Sequence, residues 1–271
     1  MIKEFVKSTL AEDVGRGDLY ALVEEAVEVK ADIIARCDGI LAGQIYADAL
    51  GDLEGFEIVW GKKDGEHFSQ GDILAIIHTD SHTILKNERT LLNMILHASS
   101  IATLTNSYAS LIKPYGIKLL DTRKTRPQLR LFEKYASRVG GALNHRMGLD
   151  DCLMIKDTHL KTIENLNEYV KRARTKIPFT TNIEVEAESL KIAILAFEAG
   201  VDIVMCDNMS PDEVEEVVAY RNENFAHITL EASGNISLET IESYAKTGID
   251  AISSGSIIHQ ANWIDISMKI K

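Results

Sequence analysis

The sequence predicts an α/β protein in which a small antiparallel sheet precedes a parallel (β/α) barrel. Three observations carry this expectation. Residues 28–78 hold short apolar or alternating runs punctuated by Gly and Asp. Residues 83–112, "TILKNERTLLNMILHASSIATLTNSYASLI", space their apolar positions by three and four, which marks one long helix or two in succession. From residue 117 onward six short apolar runs alternate with helical patterns, the rhythm of right-handed βαβ units.

The elements follow in order. The first strands are "VEVKADIIARC", "GILAG", "FEIVWG" and "DILAIIH", with "KKDGEHFSQGD" as a turn-rich break. The barrel strands are "IKLLD" (117–121), "CLMIK" (152–156), "IEVE" (183–186), "DIVMC" (202–206), "ITLE" (228–231) and "AISS" (251–254). Ser210–Pro211 and Ser237 mark helix starts, and Gly200 and Gly248 mark stops. Pro127 is read as the start of a helix with Leu129, Phe132, Ala136 and Val139 on one face. Arg130, Lys134 and Arg138 then fall on another stripe, read as solvated, with Glu133 nearby. No glycine-rich dinucleotide fingerprint follows a strand, which disfavours an open Rossmann sheet.

The chain has 271 residues, 45% hydrophobic and 26% charged, the composition of a globular protein with a sizeable core. Its 29 basic and 41 acidic residues give a formal charge of −12. That balance argues against a nucleic-acid or anionic-membrane surface, which needs a broad basic face. The most apolar stretch, "LLNMILHASSIATL", is interrupted by Asn93 and His97 and is too short to span a bilayer. Cys37, Cys152 and Cys206 share no CxxC spacing and are odd in number, so they are read as core packing rather than a disulfide or zinc site. With no apolar signal core in "MIKEFVKSTLAEDVG", the expected location is the cytoplasm.

In such a barrel the chemistry sits at the carboxyl ends of the strands. Those ends carry Asp121, Arg123 and Lys124; Lys156; Glu186; Asp207 and Asn208; Glu231 with Ser233, Gly234 and Asn235; and Ser254, Gly255 and Ser256. A single Asp or Lys there is more often a loop anchor, and a lone Ser-Gly is more often a plain turn. Their recurrence after all six strands points to an active site. A Ser-Gly turn ahead of a helix offers N–H groups and the positive dipole end to phosphate. Glu186 and Asp207 suit Mg²⁺ held jointly with phosphate oxygens. Arg123, Lys124, His145, Arg146 and Lys156 suit carboxylate recognition. Segment 121–146 holds seven Lys or Arg against Asp121 and Glu133; with Arg130, Lys134 and Arg138 read as solvated, Arg123, Lys124 and Arg146, beside His145, are left to form a small anion pocket.

The segments "EDVGRGDL" (12–19), "ERTLLN" (88–93), "DTRKTRPQLRLFEKYA" (121–136), "GGALNHRMGLDD" (140–151), "IKDTH" (155–159), "EVEAES" (184–189), "DNMSP" (207–211), "LEASGNISLETI" (230–241), "AKTGIDAISSGS" (245–256) and "IHQANWIDISMKI" (258–270) resemble, in order and over nearly the whole chain, the quinolinate phosphoribosyltransferase family. The resemblance implies a type II phosphoribosyltransferase of de novo NAD synthesis. In that reaction quinolinate and phosphoribosyl pyrophosphate give nicotinate mononucleotide, pyrophosphate and CO₂, with Mg²⁺. It implies an N-terminal α+β open-faced sandwich domain, 1–114 joined by 260–271, followed by an incomplete (β/α) barrel, 115–259. That barrel has one strand more than the six counted above, and the segment 138–147 is where it can lie. It also implies a homodimer, or a dimer-based higher oligomer, with shared active sites.

Residue by residue, the family pattern assigns quinolinate to Arg123, His145, Arg146 and Lys156, with Arg89 contributed across the dimer interface. Lys124 stands where the two substrates meet and, with Glu186 and Asp207, is implied to be catalytic; that acidic pair is also the implied metal site. Ser233, Gly234, Gly255 and His259 match the phosphate site of the donor, and Asn235, Ser254 and Ser256 belong to the same turns. "SGN", "SSGS" and "KDTH" depart from the more usual "SGG", "SVGA" and "KDNH", and Arg126 replaces a more usual Thr and is expected to face solvent. The alternatives are a same-fold paralogue with another substrate, such as nicotinate, and a non-catalytic metabolite sensor. The intact "DTRK" and "NHR" favour the dicarboxylate.

Overall fold

A computed structural model describes every residue, Met1–Lys271. Along the chain run α1 (Ile2–Val14), β1 (Glu28–Ala35), β2 (Gly39–Ile40), α2 (Gln44–Glu54), β3 (Glu57–Trp60), β4 (His67–Phe68), β5 (Ile73–Asp80), α3 (Ser81–Ile112), β6 (Lys118–Leu120) and α4 (Arg130–Val139). Then come β7 (Leu153–Ile155), α5 (Asp157–Leu160), α6 (Leu166–Arg174), β8 (Ile183–Ala187), α7 (Leu190–Glu198), β9 (Ile203–Asp207), α8 (Pro211–Asn224), β10 (Thr229–Ser233), α9 (Ile241–Ala245), β11 (Ala251–Ser253), α10 (Ser256–His259) and β12 (Ile266–Ile270). Two compact units form: Met1–Asn106 with Tyr135–Gly141 and Ala261–Lys271, and Ser107–Lys134 with Ala142–Gln260. No helix is long and apolar enough to cross a membrane.

The first unit is built on an antiparallel sheet in the order β12-β1-β5-β3. The final strand returns to this sheet, pairing Ala31 with Ile270 through Ala35 with Ile266, as the family resemblance implies. Along β1 Ala31, Ile33 and Ala35 are buried, as are Leu74, Ala75 and Ile77 of β5. The stretch 83–112 is one helix, α3, of 32 residues. Helix α2 was not foreseen, because its short pattern sits between glycines. Gly43 (φ 117°) opens it and Gly55 (φ 82°) closes it in left-handed conformations. Inside it, a Cβ on Gly51 would meet the Phe56 carbonyl oxygen at 2.5 Å, so this helix glycine is set by close packing.

The second unit is the predicted barrel. All six strands are parallel, in the order β6-β11-β10-β9-β8-β7. A seventh position exists as a single parallel bridge between Leu120 and Leu143. The Leu143 N–H donates to the Leu119 carbonyl at 2.8 Å, and the Asp121 N–H donates to the Leu143 carbonyl at 3.1 Å. Pairing stops there because the next N–H, that of His145, goes to the Asp121 carboxylate at 2.9 Å. Gly140 and Gly141 also precede it without a strand-forming side chain.

Caps fix the helix starts. Ser210 accepts the Glu213 N–H, Glu213 accepts the Ser210 N–H, and Pro211 fills the first turn, as predicted. Two predicted starts are displaced. Ser237 heads a turn closed on Thr240, and α9 begins at Ile241. Pro127 lies in a turn in which Gln128 takes φ 64°, and α4 begins at Arg130.

Candidate active site

Period-two alternation decides what the barrel encloses. The faces that hold Glu184 and Glu186 of β8, Met205 and Asp207 of β9, Glu231 and Ser233 of β10, and Ser253 of β11 turn inward; Val185, Val204, Leu230 and Ile252 lie on the other face, fully buried. The upper part of the interior opens into a cavity of about 350 Å³. Its lining includes Arg123, Lys124, His145, Arg146, Lys156, Glu186, Asp207, Ser233, Gly234 and Asn235. Ten of the predicted site residues thus share one pocket, all from the second unit. Thr122, Met154, Met205, Asn208 and Ser253 line it as well.

Two walls differ in charge. Arg123, Lys124 and Arg146 form no ion pair, although Arg146 is 9% exposed and its Nη1 donates to the Cys152 carbonyl at 2.9 Å. Burial, followed by the charges of Arg146 and Arg130, holds the Arg123 guanidinium below its ordinary pKa. Cations so crowded and unpaired form a site for an anion. On the opposite wall Lys156 Nζ bonds Glu186 Oε1. Burial raises the Glu186 carboxyl above its ordinary value, Lys156 lowers it, and the charge of Asp207 raises it further. Two oxygen-donor carboxylates on adjacent strands fit a hard cation such as Mg²⁺.

A buried network carries the cationic wall. Lys134, fully buried, donates to Asp121 Oδ1 at 2.5 Å and to the His145 carbonyl at 2.7 Å. Asn144 Nδ2 donates to Asp121 Oδ2 at 2.6 Å and to the Lys134 carbonyl at 2.9 Å. The solvated stripe expected on this helix is therefore wrong for Lys134; only Arg138 is exposed. Arg130 donates to the Met147 carbonyl at 3.0 Å. Arg126 does not simply face solvent either. It pairs with the fully buried Glu133 at 2.6 Å, which also accepts its N–H, and the cation offsets the cost of desolvating that carboxylate.

His145 stands beneath this wall. Its Nε2 lies 3.3 Å from Oε2 of both Glu184 and Glu231, and its Nδ1 accepts the Arg146 N–H at 2.7 Å. Burial pulls the imidazole pKa down, but the two carboxylates outweigh it and push it up to about 10. The pull favours a doubly protonated ring, whereas the Arg146 bond needs a bare Nδ1; in either form Nε2 carries a proton. Sequence reading missed Glu184, although it lies two residues before Glu186 on the same face.

The donor end is made of turns. After β10, Gly234 (φ +93°) and Asn235 (φ 51°) curl against Asn208 (φ 56°), whose N–H donates to the Ser233 carbonyl at 3.0 Å. Only glycine fits at 234, since a Cβ would lie 2.6 Å from the Asn208 nitrogen. No helix follows this turn directly, contrary to the pattern expected of a Ser-Gly cradle. Gly255 packs on Lys124, where a Cβ would meet Cδ at 2.9 Å, and opens α10. Ser254, Gly255, Ser256 and His259 do not line the cavity; Ser254 is buried, with its hydroxyl donating to the Ile236 carbonyl at 3.2 Å. Arg89 is exposed on α3, in the first unit. The thiols are all free, and Cys37 and Cys152 are half-buried, so core packing describes Cys206 alone.

An open-ended parallel barrel with an unpaired cationic wall facing a carboxylate and serine-glycine rim defines a class: an enzyme that joins an organic anion to a phosphorylated sugar. Comparison with known proteins agrees. Residues 18–99 match the family model for the N-terminal domain of quinolinate phosphoribosyl transferase, and residues 101–269 match that for its C-terminal domain. A probable nicotinate-nucleotide pyrophosphorylase (carboxylating) of Methanothermobacter thermautotrophicus is 39% identical, covering 99% of this chain and 98% of its own. The nicotinate-nucleotide pyrophosphorylase (carboxylating) of Dictyostelium discoideum is 35% identical over 100% of this chain and 96% of its own. Among solved structures, the nicotinate-nucleotide pyrophosphorylase of Francisella tularensis aligns with a TM-score of 0.92 at 36% identity, and NadC from Streptococcus pyogenes with 0.93 at 37%. Each alignment covers 100% of this chain and 96% of the other. The chain belongs to the quinolinate phosphoribosyl transferase family and is a pentosyltransferase of pyridine nucleotide biosynthesis.

Proposed function

We propose that the cationic wall holds quinolinate and the opposite rim holds phosphoribosyl pyrophosphate, so that this pocket performs the family reaction. Quinolinate and the donor then give nicotinate mononucleotide, pyrophosphate and CO₂. The observation that carries this reading is Arg123 beside Arg146, neither paired with a carboxylate, in a cavity whose other wall holds Glu186 and Asp207.

Arg123 and Arg146 hold the two carboxylates, with Lys156 reaching them from the Glu186 side, and aim the ring nitrogen at the anomeric carbon, a positioning task. His145 stands beneath them with its ring nitrogens turned to Glu184, Glu231 and the Arg146 N–H. Lys124 stands between the substrates and stabilises departing pyrophosphate. Glu186 and Asp207 stabilise the positive charge that develops on the ribose. The same two residues would hold Mg²⁺, which when bound neutralises charge on the leaving group. Of the two Ser-Gly turns, Ser233–Asn235 lines the cavity and takes the 5′-phosphate; Ser254–Ser256 and His259 lie off it, with Gly255 packing on Lys124. After transfer, the quaternised ring nitrogen is an electron sink, the adjacent carboxylate leaves as CO₂, and the ring carbon it leaves takes up a proton from water, with no protein acid assigned. We further read the chain as a cytoplasmic homodimer, or an assembly of dimers, in which Arg89 reaches the partner's pocket. The domains are read as 1–114 with 260–271, and 115–259.

Two variants test the assignment together. Arg146→Ala is expected to raise the quinolinate KM by at least tenfold, about 1.4 kcal/mol of binding, while the donor KM stays within twofold. Glu186→Gln is expected to depress kcat with little change in quinolinate KM. The assignment fails if Arg146→Ala leaves quinolinate KM and kcat unchanged, or if Glu186→Gln weakens quinolinate alone.

A further inference from the structure

Behind the substrate pocket lies a second cavity of about 340 Å³, and His145 and Arg146 line both. Its walls include Asp151, Glu184 and Glu231. Two buried carboxylates directly behind an anion site are unfavourable for any dianion in front of them, unless they do something that offsets the repulsion. Glu184 is 0% and Glu231 2% exposed. Neither pairs with Lys or Arg; both approach His145 Nε2 at 3.3 Å. The His145 ring is thereby fixed at both nitrogens. Nε2 donates into the barrel, and Nδ1 accepts the backbone N–H of Arg146 at 2.7 Å. The same peptide is held on its other side, where the His145 carbonyl accepts from Lys134 at 2.7 Å, and the next N–H, that of Met147, donates to Asp151 Oδ2 at 2.8 Å.

We propose that Glu184 and Glu231 are positioning residues for quinolinate recognition. Gripping the imidazole from inside the barrel, they hold the ring in place, and the ring holds the backbone from which the Arg146 guanidinium projects. The same grip keeps the Nε2 proton directed at the carboxylates, so the negative charge faces a donor instead of the substrate. The spacing in the sequence fits the role: Glu184 and Glu186 share one inward face of β8, the deeper for the grip and the shallower for the pocket, and Glu231 and Ser233 repeat the arrangement on β10. The three side chains also offer ligand atoms within 4.8 Å of one another, a set a cation can use. Hydrogen bonding to the Nε2 proton accounts for the same distances without an ion.

The inference rests on the reading that Arg146 holds quinolinate, and the experiment separates the two. Steady-state kinetics are measured for Glu231→Ala, Glu231→Gln and Arg146→Ala, with melting temperatures for each. Glu231→Ala is expected to raise quinolinate KM by about tenfold or more while donor KM stays within twofold. Glu231→Gln, whose amide oxygen still accepts from Nε2, is expected to recover most of that loss. The imidazole ¹⁵N spectrum, taken on whatever fraction of Glu231→Ala folds, is expected to show loss of the single protonated-Nε2 form seen in the parent. A quinolinate KM unchanged in Glu231→Ala, with Arg146→Ala strongly raised, overturns the inference and leaves the site reading intact. Equal losses for both substrates, or no rescue by Gln, also overturn it, because a purely structural residue behaves so. An unchanged quinolinate KM in Arg146→Ala removes the site reading itself. Restoration of Glu231→Ala by added Zn²⁺ or Mn²⁺ overturns the hydrogen-bond account in favour of a metal.

Discussion

A lysine with no exposed surface is costly to desolvate, and Lys134 is tolerated because Asp121 and the His145 carbonyl receive its protons. Burial is the main reason its pKa is lowered, with the Asp121 bond and charge opposing the shift. Taking away the cation would leave the Asp121 carboxylate, also fully buried, facing Asn144 and the His145 N–H without the charge that balances it. Lys134→Met should therefore lower folding stability by about 3–5 kcal/mol in urea denaturation, and replacing Asp121 by Leu as well should regain part of the loss. A single-variant loss under about 1 kcal/mol would show that the pair is not the anchor described. At this scale the site cations Arg123, Arg146 and Lys156 were legible, since a strand end or a dense basic run is visible in the letters. Lys134 and Arg126 were not. Lys134 repeats the four-residue spacing of Arg130 and Arg138, which put it on a polar stripe, and Arg126 was expected to face solvent; only tertiary pairing with Asp121 and Glu133 reveals what each does.

The turns after β9 and β10 work as one element, because Asn208 and Gly234 interlock through the backbone. Gly234→Ala adds a methyl 2.6 Å from the Asn208 nitrogen at a left-handed φ of +93°. Both terms act on the donor end, and we expect donor KM to rise at least tenfold while calorimetric affinity for quinolinate holds within twofold. Equal weakening of the two ligands would refute the division of the pocket into two ends. Elements of this kind were half legible. Strong apolar runs gave all six barrel strands to within a residue or two, and a serine ahead of proline gave α8. The start of α9 was misplaced, and the seventh strand position was located within 138–147 only through the resemblance, because neither is specified by periodicity. One is delayed by the Ser237–Thr240 turn, and the other is a lone bridge whose continuation is taken over by the Asp121 side chain.

On the scale of the whole molecule, a chain of formal charge −12 encloses a pocket whose one wall is cationic and unpaired. That contrast fits small anionic substrates: the acidic exterior gives them no surface to settle on, and the interior gives them one. Family membership covers both halves of the chain, and the six barrel strands together with the chemistry at their ends are readable in the sequence. Arg89 was readable only through resemblance, since nothing in its own helix marks a solvent-facing arginine as functional. The central claim is turnover of quinolinate with decarboxylation. Its most direct test is to incubate the protein with carboxyl-labelled quinolinate, phosphoribosyl pyrophosphate and Mg²⁺, and to follow pyrophosphate and CO₂ together. The expected result is equal amounts of both, abolished by a chelator. Pyrophosphate release with nicotinate but not quinolinate, or neither product with quinolinate, would contradict it.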